Sequence, residues 1–134
     1  MLVRAVRSSD MPKFFQNVLQ RYAHYFRKKY GRTGFLFQNR YKCLHIDSDK
    51  YLMECGRYIE RNPVRAGITE DPVNYAWSSY LFYATGKNDD IIEKPNPVYA
   101  DMAYSSDERM RRYREYVMQG RLYEHVVNQA VRIV

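Results

Sequence analysis

The chain has 134 residues, 46% of them apolar, with 22 Lys/Arg against 15 Asp/Glu for a net charge of +7. That length suits one domain with a genuine core, or most of one, and no run of about 18 apolar residues is present to span a membrane. Cys43 and Cys55 lack CxxC spacing, and the apolar start at residues 1–6 is too short for a signal peptide, so a cytoplasmic protein of bacterial type with free thiols is expected.

In chain order, residues 1–6 form a short apolar run with β-branched residues and read as a buried strand. Ser9 or Asp10 is a plausible helix cap and Pro12 suits a first turn. Phe14, Phe15, Val18, Leu19, Tyr22, Tyr25 and Phe26 then recur at helical spacing up to Gly31. A turn at 31–34 leads into 35–46, read as a strand although its alternation does not separate apolar from polar residues. Ser48 and Asp49 cap a second helix over 49–61, with Leu52, Cys55 and Ile59 on its apolar stripe and Tyr51, Cys55, Tyr58 and Asn62 beside it. After a loop at Pro72, residues 77–83 read as a short helix containing Ser78 and Ser79. Residues 86–98 form a loop, and 107–119 and 122–134 read as two helices separated by Gly120.

The charge is unevenly spread. Residues 1–46 hold ten Lys/Arg and one acid, a net of +9, while 47–134 hold twelve Lys/Arg and fourteen Asp/Glu, a net of −2. Aromatic residues interleave the bases of the first stretch. Bases neutralise phosphates and aromatic faces stack on unpaired nucleobases, so the first half points to a nucleic-acid partner. For any single base in it, a solvated surface position is the plainer reading.

The densest motif is Arg57-Tyr58-Ile59-Glu60-Arg61-Asn62-Pro63-Val64-Arg65-Ala66-Gly67-Ile68. Tyr58 and Asn62 are one helical turn apart and share a face, and Pro63 places them at the frayed end of the helix. This segment resembles the signature of the single-tyrosine transposases of the HUH superfamily, in particular the REP-associated tyrosine transposases. Gly34-Phe35-Leu36-Phe37-Gln38-Asn39-Arg40-Tyr41-Lys42 and Tyr75-Ala76-Trp77-Ser78-Ser79-Tyr80 look like two further stretches of that family, in the same order.

The resemblance implies an α+β fold, a truncated ferredoxin-like (HUH nuclease) antiparallel sheet with helices packed on it and a helical C-terminal tail. Residues 1–86 would be the C-terminal portion of the transposase domain, 87–98 a loop or linker, and 99–134 the tail. Residues 1–6 would be the surviving central strand, flanked by 35–46, with helices 11–30 and 49–61 on the sheet. A sheet so shortened exposes an unpaired edge, which favours a homodimer.

The chemistry it implies is metal-dependent cleavage and rejoining of single-stranded hairpin DNA through a 5′-phosphotyrosine. Tyr58 would be the nucleophile and Asn62 a ligand to Mg²⁺ or Mn²⁺. Arg21, Arg27, Lys28, Lys29, Arg32, Arg40, Lys42 and Arg65 would contact DNA. The family's other metal ligands are a His-x-His pair on a strand. Residues 1–3 look like the segment just after it, and His24, His45 and His125 are not spaced to replace it. Asn62 equally suits a helix C-cap, and Arg65 equally suits an ion pair with Glu60 or Glu70. Two functions therefore compete: a transposase nuclease lacking its metal-binding start, or a non-catalytic module that grips DNA hairpins. A third reading is a scaffold kept without a DNA role.

Overall fold

The computed structural model describes residues 1–92 and 94–119. The chain forms two compact units, Leu2–His45 and Ile46–Val134, the latter joined by Met1. The helix expected over 122–134, with Gly120 and His125, lies outside the described residues.

The smaller unit is built on one helix, α1 (Met11–Tyr30), entered through a 3-10 turn at Ser8–Asp10. Pro12 occupies the first turn, where its missing N–H costs nothing. Arg27, Lys28 and Lys29 in the last turn complement the negative end of the helix dipole. Gly31 ends it with φ +62°, a left-handed conformation that glycine adopts without strain. Residues 34–43 lie along the helix as an irregular strap. Phe15 stacks on Tyr41 with centroids 4.5 Å apart, and Tyr22 meets Phe37 at 6.2 Å. No residue of α1 is fully buried.

The larger unit holds α2 (Asp49–Arg65), α3 (Tyr80–Thr85), α4 (Pro97–Ala100) and α5 (Ser106–Met118). Met53, Tyr80, Ala84, Tyr113 and Val117 form its core, with Tyr83, Val98, Tyr99, Met102 and Tyr116 packed around them. Tyr83, Tyr99 and Tyr113 make a three-ring cluster with centroids 4.8–5.5 Å apart. Residues on both sides of 87–98 thus share one core.

The ferredoxin-like antiparallel sheet is not formed: the described residues contain helices and no strand. Residues 1–6 are exposed and irregular, because a strand needs a neighbour to take its backbone hydrogen bonds and none is formed. In 35–46 neither face is marked for burial. Ring contacts from Tyr41 and Phe37 to α1 replace the ladder. With no sheet among the described residues they present no unpaired edge, and the ground for expecting a homodimer is removed.

Helix boundaries differ in three places, the first being α4, which begins at Pro97 inside the expected 86–98 loop. The helix expected over 77–83 is Tyr80–Thr85, with Ser78 and Ser79 ahead of it and Trp77 87% exposed. The helix expected to stop near Asn62 runs through Pro63 to Arg65. It ends in a Schellman motif: Ile68 N–H bonds Pro63 O at 2.9 Å and Gly67 N–H bonds Val64 O at 3.0 Å, with Gly67 at φ +69°. Gly67, and not Asn62, is the left-handed terminator.

Candidate functional site

The basic half of the chain folds into an open groove of about 1490 Å³ within the smaller unit. Leu19 and Ala23 of α1, together with Leu36 and Phe37 of the strap, give it an apolar lining, and Arg21, Arg27, Lys28 and Arg40 bring four cations to it. Lys29, Arg32 and Lys42 are exposed on the same unit outside the groove. Lys29 sits 5.4 Å from the ring centroids of both Tyr25 and Tyr30, and hydrogen bonding to Tyr25 holds its ammonium above the usual lysine range. A cation is thereby oriented by aromatic faces.

Gln16, Gln20 and His24 also line the groove, although neither glutamine stands out by residue type. Their spacing of four residues was the available signal, since it places all three along one edge of α1. Amides offer donors and acceptors that can read base edges.

The tyrosine motif lies on α2. Ser48 caps this helix by accepting the Tyr51 N–H at 3.3 Å. Its buried face carries Met53, Glu54, Arg57, Glu60 and Pro63, whereas Leu52, Cys55 and Ile59, expected as the apolar stripe, are half-buried. The charged side chains can face inward because each has a partner there. Arg57, 2% exposed, donates from Nε to the Tyr116 carbonyl at 3.1 Å and from Nη2 to the Gln119 carbonyl, and lies 3.7 Å from Glu54. Tyr116 Oη donates to Glu54 at 2.8 Å.

Tyr58, Asn62 and Arg65 fall at i, i+4 and i+7, on the side of α2 away from Met53, Arg57 and Glu60. Tyr58 is half-buried, and Asn62 and Arg65 are exposed. The Arg65 guanidinium lies over the Tyr58 ring, 5.2 Å from its centroid. The structure thus brings these three expected residues to one face.

Among the described residues, no set of hard-cation ligands gathers around Asn62. Asn62 supplies one amide oxygen to that face, and Glu54, one turn before Tyr58, is buried and engaged by Arg57 and Tyr116. Among the described residues no group of three or more His, Cys, Asp or Glu is gathered to hold a metal. A Mg²⁺ ion, which asks for near-octahedral oxygen ligation, finds too few ligands around Asn62.

Among the described residues, no helix is long and apolar enough to cross a membrane. No family model matches this chain, and no curated protein and no solved structure matches it.

Proposed function

We propose that this chain is a DNA-binding, transposase-like protein that grips single-stranded or hairpin DNA without cutting it. The groove of the smaller unit carries the reading: four cations border an apolar, aromatic lining, the combination that suits a phosphate backbone with unpaired bases. Fluorescence anisotropy with a labelled DNA hairpin tests it. Four phosphate contacts predict roughly 50-fold weaker binding as salt rises from about 50 to about 200 mM. Equal affinity at both, or no binding at the lower, refutes the proposal.

A second reading keeps the family's nuclease chemistry. The observation that favours it is the shared face of Tyr58, Asn62 and Arg65, where a phenol, an amide and a guanidinium lie within reach of a phosphate approaching from solvent. The missing ligands weigh against it for the chain as it stands.

A further inference from the structure

The carbonyls of Tyr116 and Gln119 close the end of α5, where the last turn of a helix leaves its acceptors without intrahelical partners. A buried arginine from α2 meets both. Arg57 donates to the Tyr116 carbonyl at 3.1 Å and to that of Gln119, while Arg61, one turn on, also donates to Gln119 at 3.1 Å. Glu54 completes the set, 3.7 Å from Arg57 and accepting from Tyr116 Oη at 2.8 Å. Three consecutive turns of α2 are therefore tied to one helix end. A planar guanidinium bound to two carbonyls tolerates little displacement.

Arg57 precedes Tyr58 directly, so their side chains leave α2 about 100° apart. Holding Arg57 against α5 fixes the direction in which Tyr58 points. We propose that the end of α5 is a clamp setting the rotation of α2 about its axis, with Arg57 as the positioning residue for Tyr58. This rests on Tyr58 being the group presented to DNA, but the clamp itself is readable without DNA. The end of α5, expected to be part of a helical tail, would then belong to the tyrosine site.

The test places 3-fluorotyrosine at position 58 alone and records its ¹⁹F spectrum in the full chain. The parent should give one narrow resonance. Arg57→Lys keeps the charge and loses the fork, and Glu54→Leu with Arg57→Met removes both charges, so that neither is left buried and unpaired. Both variants should still melt cooperatively, yet show a shifted or split resonance. Tyr116→Phe, which changes α5 and leaves α2 intact, should move the signal in the same direction by less. An unchanged resonance in the folded Arg57 variants overturns the proposal. So does a Tyr116→Phe spectrum identical to the parent's, because the Arg57 effect would then be a local one. Loss of DNA binding by the parent would refute the proposed function and leave the clamp standing.

Discussion

Ser79 donates its hydroxyl hydrogen to Glu60 Oε1 at 2.5 Å, joining the entry to α3 to the buried face of α2. Two stretches that the sequence singled out separately therefore meet in the fold. Glu60 is 2% exposed, and its Oε2 has no hydrogen-bond partner among the described residues. Burial pushes its carboxyl above the usual glutamate range, against the opposing hydrogen bonds from Ser79, Ser78 and the Tyr80 backbone.

That relationship sets a pH dependence. A carboxyl whose folded pKa is raised contributes stability that is full below its unfolded value and is lost as pH rises through the folded one. Urea unfolding of the parent should show this loss as pH rises above the ordinary glutamate range. Glu60→Gln, a neutral mimic of the protonated acid, should flatten that part of the curve. A parallel pH dependence in the two proteins would refute the assignment.

Asn62→Ala should change stability by no more than about 0.5 kcal/mol, because the side chain is exposed and does not end the helix. Gly67→Ala should cost about 1–2 kcal/mol, since the left-handed conformation at φ +69° is strained for any residue with a Cβ. A Cβ there meets nothing within 4 Å, so the cost is conformational and Gly67→Asn should recover part of it. Chemical denaturation of the three variants checks the ranking.

Ser48→Ala removes the side-chain acceptor for the Tyr51 N–H and should destabilise α2 by about 1 kcal/mol. Ser48→Asp should restore it. Thermal melts followed by far-ultraviolet circular dichroism read both.

Arg21→Ala with Arg40→Ala removes two of the four groove cations. The slope of log affinity against log salt for a DNA hairpin should fall by roughly 1.4, about 0.7 for each lost contact on a single strand. Phe37→Ala should weaken binding by about 1–3 kcal/mol with little change in slope, since stacking releases no counterions. A Phe37 variant that alters only the slope would contradict the groove.

Incubation with hairpin DNA and Mn²⁺ should give no covalent adduct on a denaturing gel, because among the described residues no set of hard-cation ligands gathers at the face of Asn62. Tyr58→Phe should bind the hairpin as tightly as the parent. An adduct that disappears in Tyr58→Phe would establish the nuclease reading.

Local chemistry determined where α1 and α2 begin. Pro12 in a first turn, Ser48 ahead of Asp49 and the periodic aromatics of 14–26 act within a few residues of chain, so the sequence states them directly. The basic stretch, too, is a property of composition. Tertiary structure decided the rest. Residues 1–6 and 35–46 look like strands, but a strand exists only with a partner across a ladder, and no local pattern supplies one. The buried face of α2 was illegible for a related reason. Arg57 and Glu60 turn inward because the Tyr116 and Gln119 carbonyls and the Ser79 hydroxyl wait there, 59, 62 and 19 residues further along the chain. Hydrophobicity alone assigns such side chains to solvent; only distant hydrogen-bond partners make their burial affordable.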